Sequence, residues 1–369
     1  MNKKAVRSIY EVAREAGVST ATVSRALGNR PDLVAPATRE RIVAAAQTLG
    51  YRPNRMARGL ATGRSTIVGV LVHDIRNRQL AQVLRGIDQT ARQLGLLTML
   101  CNTDYDATRA TEYLAMLDEH QVAGVVLTGQ DYPAKGHGRQ FKDQLARMSE
   151  RGVVAVGVGE STSLPLRVSL HNRRLGQQLA NHLLDLGHRR FVFVRVDPGF
   201  RALDHRERGF RDAIAARGLP GDSIAVRSAV RSLAGGAAAA LQVLDEGIAF
   251  TAVVGATDEI AAGCHVGLTR RGIRVPQDVS VAGWGDSEMS ELLGHPLTTV
   301  ETPMFELGVR AMHLLVKALD GPLRRHHEVV DARILQGAST GPAADRPVKR
   351  RNGRRVSADI GALRKRRAD

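Results

Sequence analysis

Ser8-Ile9-Tyr10-Glu11-Val12-Ala13-Arg14-Glu15-Ala16-Gly17-Val18-Ser19-Thr20-Ala21-Thr22-Val23-Ser24-Arg25-Ala26-Leu27 reads as two short helices around a tight turn. Ile9, Val12, Ala13 and Ala16 recur at the spacing of one helical face. Gly17 ends that helix, because glycine accepts the left-handed backbone the turn needs. Val18 plugs the corner, and the Ser19 hydroxyl can cap the next helix by accepting one of its free N–H groups. That helix is expected over 20–27, with Val23, Ala26 and Leu27 inward and Gly28-Asn29 stopping it. Thr20, Ala21, Thr22, Ser24 and Arg25 then face outward. Two such helices form the unit that lays its second helix in the DNA major groove. Hydroxyls at the positive helix end suit phosphates or base edges. Arg25 can grip a guanine through two bonds, worth about 1–3 kcal/mol of discrimination.

A third helix is expected over Pro36–Leu49, with Ile42, Val43, Ala46 and Leu49 on its buried side. Pro36 suits a first-turn position and Gly50 the stop. Tyr51-Arg52-Pro53-Asn54-Arg55-Met56-Ala57-Arg58-Gly59-Leu60 follows. Asn54 can cap a hinge helix over 54–60, but Pro53 precedes it and Gly59 lies inside it. A helix of roughly six residues is unstable alone in water. It is expected to order on DNA or against a second copy, presenting Asn54, Arg55, Ala57, Arg58 and Leu60. Leu60 is either an apolar wedge for the minor groove or a plain linker residue.

Charge supports nucleic acid as the partner. The 369 residues carry a net +16, of which residues 1–60 contribute +7 (eleven Lys/Arg, four Asp/Glu) and residues 343–369 another +7 (ten Lys/Arg, three Asp). Positive charge gathered at both ends of a near-neutral body marks an electrostatic footprint for DNA. The end segment from Pro342 is expected to be disordered, either as an extra DNA arm or as a solubilising tail.

Residues 61–341 alternate strands with helices. Strands are expected at 66–72, 97–101, 124–127, 153–158, 191–196, 225–226, 252–254 and 280–283. Helices are expected at 79–94, 107–120, 141–151, 175–186, 206–217 and 258–271. This alternation predicts an α/β fold with parallel sheets covered on both faces, split into two doubly wound lobes. Ligands bind such sheets beyond the carboxyl ends of the strands. That places His73, Asp74, Asn77, His171, Asn172, Arg206, Thr257, Asp258, Trp284, Gly285 and Asp286 as candidate liners.

Val12-Ala13, Ala16-Gly17-Val18-Ser19, Thr22-Val23-Ser24-Arg25, Arg39-Glu40-Arg41 and Gly50-Tyr51-Arg52-Pro53-Asn54, with their spacing to Ala57-Arg58 and Leu60, resemble the head and hinge of the LacI/GalR family of bacterial transcriptional regulators. The resemblance runs to about Thr340. It implies a helix-turn-helix head on a periplasmic-binding-protein-like bilobal core, with an effector between the lobes. It places Thr20, Ala21 and Arg25 where the family reads operator bases, Thr22 and Ser24 on phosphates, and Leu60 in the minor groove; Ser19, at the start of the same helix, is counted with the DNA-binding residues. It implies a homodimer, and Arg206 as the effector grip, with Asp74, Asn77, His171, Asn172, Thr257, Asp258, Trp284 and Asp286 around it. One head position departs: Ala35 replaces the usual serine cap of the third helix. More of the cleft departs. Thr257 replaces an asparagine, Gly285 an acid, His171 an aspartate, and Gln79-Leu80 an aromatic pair. Asp74 can instead brace its loop, Asp258 can cap its helix, and Trp284 is either a ring platform or a core side chain. The effector expected is a sugar or a sugar-derived metabolite; fewer acids, with Arg76, Arg78 and Arg206 nearby, leave open an anionic one (a sugar acid or phosphate) or a degenerate cleft that binds nothing.

No stretch of about eighteen apolar residues predicts a membrane span, and no apolar leader follows the basic N-terminus. The two cysteines, Cys101 and Cys264, lack metal-ligand spacing and are expected as reduced core residues. No P-loop, nucleophile elbow or paired catalytic spacing appears, so no enzyme activity, metal or cofactor is expected. The function expected is a cytoplasmic, nucleoid-associated repressor of transcription that binds double-stranded operator DNA under small-molecule control. A transport-type sugar-binding protein is the alternative, disfavoured by the basic head.

Overall fold

The computed structural model describes residues 8–28, 31–51, 65–129, 137–160, 164–196, 201–285, 294, 296–321 and 323–348. The hinge residues Asn54, Arg55, Ala57, Arg58 and Leu60, the liner Asp286, and the basic run beyond Val348 lie outside them. The chain divides into a head unit, Met1–Thr66, and a core unit, Ile67–Asp369.

The head holds α1 (Ile9–Ala16), α2 (Thr20–Ala26) and α3 (Pro36–Leu49). A capping box fixes the start of α1, with the Ser8 backbone N–H donating to the Glu11 carboxylate at 2.8 Å. Gly17 is left-handed (φ 64°) and lets Val18 N–H return to Ala13 O at 2.9 Å. The Ser19 hydroxyl accepts from Thr22 N–H at 3.2 Å, as the sequence predicts. Ala35 caps α3 without any side-chain bond, and Pro36 supplies the preset first turn. Val12, Ala13, Ala16, Val23, Ala26, Val34, Ile42, Ala45 and Ala46 close the core. Ala45 takes the place expected for Val43, which is only half-buried.

The core unit begins with β1 (Ile67–Val72), α4 (Arg78–Gln93), β2 (Leu97–Asn102), α5 (Ala107–Glu119), β3 (Gly124–Thr128), α6 (His137–Glu150), β4 (Val154–Val158) and β5 (Leu166–Ser169). It continues through α7 (Asn172–Asp185), β6 (Phe191–Val196), α8 (Arg201–Ala216), β7 (Ile224–Ala229), α9 (Leu233–Asp245), β8 (Ala252–Gly255), α10 (Asp258–Arg270), β9 (Ser280–Trp284) and β10 (Thr298–Val300). α11 (Met304–Asp320), β11 (His326–Val329) and β12 (Ile334–Leu335) complete it. The strands form two six-stranded sheets, ordered β11-β5-β4-β3-β1-β2 and β12-β10-β9-β8-β6-β7. All paired strands run parallel except β12 on β10.

In β1, Val68, Val70 and Val72 join one apolar cluster and Leu71 joins the other. A strand buried on both faces has no polar side to alternate with, so it reads as an unbroken apolar run. The chain passes between lobes after β5, after β10 and after β11, so α11 returns to pack on α4 of the first lobe. In each sheet the strand order reverses beside the first strand, β1 or β6, which opens a crevice at the carboxyl ends.

Sequence periodicity missed β5, α9, β10, α11, β11 and β12. The α9 stretch Leu-Ala-Gly-Gly-Ala-Ala-Ala-Ala carries small apolar residues on its exposed side as well, at Ala234 and Ala238, so no polar face marks its period. The expectation that the tail leaves the fold at Pro342 needs correction over its first residues. Ala343 N–H donates to Leu186 O at 2.9 Å, and Val348 bridges Phe250. These bonds satisfy backbone groups at the end of α7 and at Phe250, just before β8.

Candidate DNA-binding face and effector cleft

On the head, Ser19, Ala21, Ser24 and Arg25 are exposed on one side of α2, and Thr20 and Thr22 are half-buried at its edge. The Thr22 hydroxyl lies 2.9 Å from Ser19 Oγ, so the two hydroxyls at the N-terminus of α2 are preset as a pair. No acid lies in that first turn, and Arg25 falls in the last. The positive helix end therefore stays free for an anion. Tyr10, on α1, is 73% exposed and was not singled out from the sequence. Its position in an otherwise regular amphipathic helix is the available signal.

The cleft is built by helix starts and strand ends. Asn172, first residue of α7, is buried, and its backbone N–H donates to the Glu160 carboxylate beyond β4 at 3.0 Å. His205 Nδ1 bonds the other Glu160 oxygen, so a first-lobe acid holds two second-lobe elements. Asn172 Oδ1 accepts from Arg206 Nε at 3.0 Å, and Arg206 Nη1 donates to Ala256 O at 2.7 Å. Arg206 is 5% exposed and its guanidinium carbon lies 4.6 Å from the centroid of the Trp284 ring. Burial, helped by the positive charge of Arg231, pulls the Arg206 pKa down to about 9, while Glu160 and Asp258 pull it back up.

The helix crossing beneath explains the pairing of Asn172 with Arg206. Gly176 of α7 and Gly209 of α8 face each other's helix so closely that a Cβ on Gly176 would overlap Arg206 O, and one on Gly209 would overlap Arg173 O. Glycines at both crossing points let the backbones approach and bring the two polar side chains into register.

The other expected liners have structural partners. Both Asp74 oxygens are taken by Arg76, at 2.9 and 3.0 Å, and Arg76 holds the carboxyl below its ordinary value. Asp74 thus braces its loop. Asn77 caps α4 by accepting from Gln79 N–H at 3.1 Å. Thr257, and not Asp258, caps α10 by accepting from Ile260 N–H. Asp258 is buried and accepts from the Thr299 hydroxyl at 2.6 Å. His171 is exposed at the start of α7 with no capping bond. Trp284 is fully buried under Arg206, which rules out the open ring platform and leaves it a support for the guanidinium.

Two departures noted in the sequence are complementary. Gly285 has φ 141°, and a Cβ there would stand 2.7 Å from Gln79 Nε2. The Gln79 amide fills the space a side chain at 285 needs and points to the Thr302 hydroxyl at 3.4 Å. Residues not singled out by sequence are Glu160, His205, Tyr105 and Arg231. Arg231 follows β7, whose connection to α9 was invisible because α9 itself was missed. His73, buried, donates to Thr128 O from Nδ1 and packs on the Tyr105 ring at 4.7 Å; burial lowers its pKa.

The model for bacterial regulatory proteins of the lacI family matches residues 8–54, and that for a periplasmic binding protein-like domain matches residues 180–340. Catabolite control protein A of Priestia megaterium is 30% identical over 334 residues, spanning 89% of this chain and 96% of that protein. Among solved structures, the lac repressor dimer bound to operator and the anti-inducer ONPF superposes with a TM-score of 0.78 at 25% identity, covering 91% of this chain and 99% of that one. A LacI family regulator of Enterococcus faecium with bound ribose has a TM-score of 0.65 at 28% identity, covering 75% and 99%.

Proposed function

This chain belongs to the LacI family of bacterial transcriptional regulators, and from that premise we propose that it represses transcription as a homodimer whose operator affinity is set by a small molecule in the cleft. It is a DNA-binding regulator under small-molecule control. The observation that carries the reading is the capped α2 with Ser19, Ala21, Ser24 and Arg25 exposed on one face. Ser19, Thr22 and Ser24 are read as phosphate contacts, and Thr20, Ala21 and Arg25 as base contacts. Asn54, Arg55, Ala57, Arg58 and Leu60 are read as the minor-groove hinge.

Dimerisation is supported by the exposed apolar side chains Leu97 and Leu100 on the edge strand β2, with Leu94 and Met116 beside it. A bare apolar strand edge on a free monomer invites pairing. Sedimentation of the full chain should give a dimer, and Leu100→Glu should shift it toward monomer.

We read the cleft as a switch and not as a catalytic site. Among the described residues, the serine–histidine contact near it, Ser169 Oγ to His327 Nε2 at 2.8 Å, is oriented the wrong way for a base. Arg167 Nη2 lies 3.3 Å from His327 Nδ1 and can only donate. Nδ1 therefore accepts, the proton sits on Nε2, and the ring donates to the serine. Supporting cytoplasmic placement, no helix among the described residues is long and apolar enough to cross a membrane.

Selection of bound sequences from a random duplex library, followed by anisotropy titration, tests the function. One palindromic operator should emerge, and Arg25→Ala should weaken its binding by about 1–3 kcal/mol with relaxed preference at one base pair. Equal affinity for all duplexes would overturn the reading.

A further inference from the structure

We propose that the ligand of the interlobe cleft carries a full negative charge, as a carboxylate or phosphate, received by Arg206 and Arg231. This rests on the cleft being the effector site. Arg206 is buried, yet its two hydrogen-bonded nitrogens meet neutral oxygens, the Asn172 amide and the Ala256 carbonyl. Its remaining amino group, Nη2, has no hydrogen-bond partner among the described residues. The Trp284 ring beneath offsets only part of the charge. The charges of Glu160 and Asp258 reach Arg206 from nearby, but among the described residues neither carboxylate is hydrogen-bonded to it, so a bound anion would be its direct ionic partner.

Arg231 adds a second positive charge. It is half-buried at the start of the loop after β7 and makes no ion pair among the described residues. Its charge is felt by Arg206 on the second lobe and by His73 and Tyr105 on the first, so it faces the same space.

The described acids bordering that space are engaged elsewhere. Asp74 is clamped by Arg76, Glu160 by the Asn172 N–H and His205, and Asp258 accepts from Thr299. Gly285 brings no side chain. The one sealed side-chain polar atom without a partner among the described residues is another donor, Nε1 of the same Trp284. Among the described residues, unfilled donors therefore collect at this site, and two of the groups are cations. A neutral sugar would supply acceptors but no charge to meet the two guanidinium groups directly. The burial that draws the Arg206 pKa downward has the same meaning, since a neighbouring anion would reverse it.

Trp284 is the only tryptophan of the chain and lies against Arg206, so its emission reports on the site directly. The full-length protein is titrated with inorganic phosphate, D-gluconate, D-glucose 6-phosphate and D-glucose at constant ionic strength. Phosphate should change the emission saturably. At least one charged sugar should bind roughly tenfold or more tightly than glucose, and comparing gluconate with glucose 6-phosphate tells carboxylate from phosphate. Arg206→Met should abolish that preference. Arg231→Gln, at a half-exposed position that leaves packing intact, should weaken the anions by roughly tenfold and leave any glucose binding unchanged. Glucose or ribose binding as tightly as the charged sugars would overturn the charge assignment while upholding the effector cleft. Anion binding indifferent to both substitutions, or no response to phosphate, would overturn the site. Operator binding, measured separately, stays intact in each of these cases.

Discussion

His188 shows what a single buried ring does to the stability of this chain. Its Nδ1 lies 2.8 Å from Thr251 Oγ1, and its Nε2 lies 3.0 Å from Ser280 Oγ and 3.1 Å from Gly341 O. The ring joins the strand starts of the second lobe to the segment that leaves it. Burial, above all, lowers its pKa from 6.5 to about 4, against a raising contribution from the Gly341 carbonyl. The folded ring therefore stays neutral until about pH 4, while the unfolded ring takes its proton near 6.5. Between those values the unfolded state binds more protons, so stability rises with pH across the window and falls on acidification. The loss from this ring between about pH 7 and about pH 5 is roughly 2 kcal/mol. Urea denaturation at the two pH values should show that His188→Gln, whatever its stability at neutral pH, loses less on acidification than the parent. Equal losses would remove His188 as the cause. Nothing in the local sequence Leu186-Gly187-His188-Arg189 announces this role, because its partners lie 63, 92 and 153 residues away. Arg206 was legible through the family resemblance, but its dependence on Asn172, Ala256 and Trp284 required the three-dimensional assembly.

At the scale of elements, the head was read almost residue by residue because each of its signals is local. Gly17, Ser19 and Gly50 act within a few residues of where they stand, and so does the Ser8–Glu11 capping box, which the sequence reading passed over. The core helices were harder, since their interfaces are apolar on more than one side and glycine marks contact as often as termination. Gly209 is the clearest case: it sits inside α8, where glycine lowers helix propensity, and is explained by the backbone of α7 at Arg173. Gly209→Ala should push the two helices apart, costing about 1–3 kcal/mol as overpacking does. It should also pull Arg206 away from Asn172, so effector affinity falls along with the thermal midpoint. An exposed glycine with open space around it, Gly221, serves as the control. A Gly209→Ala protein of parental stability and affinity would refute the close-approach account. The Gly285 and Gln79 pair follows the same logic across two elements: each looked like a loss in the sequence, and together they fill one space.

At the scale of the molecule, the core is two sheets joined by three crossings, and the chain is a DNA-binding regulator under small-molecule control. What joins cleft to operator is differential affinity, because a ligand shifts an equilibrium only as far as it prefers one state. Charge then governs how strongly the whole chain holds DNA. Pairing extends to Val348 on the second lobe. Residues 349–369 carry nine Lys/Arg against two Asp, a net +7 equal to that of the entire head region 1–60. We read this segment as an added, sequence-independent DNA arm. Each phosphate it neutralises should steepen the dependence of binding on salt by roughly 0.9 in the log–log slope. A chain ending at Val348 keeps every described contact of the core, so its thermal midpoint and its preference among operator variants should match the full chain. Its salt slope should be shallower, and its affinity for random duplex should fall more than its operator discrimination does. If the slope is unchanged, the seven charges do not touch DNA and the arm is refuted. If discrimination falls instead, the segment reads sequence, which cations that only track phosphates do not do.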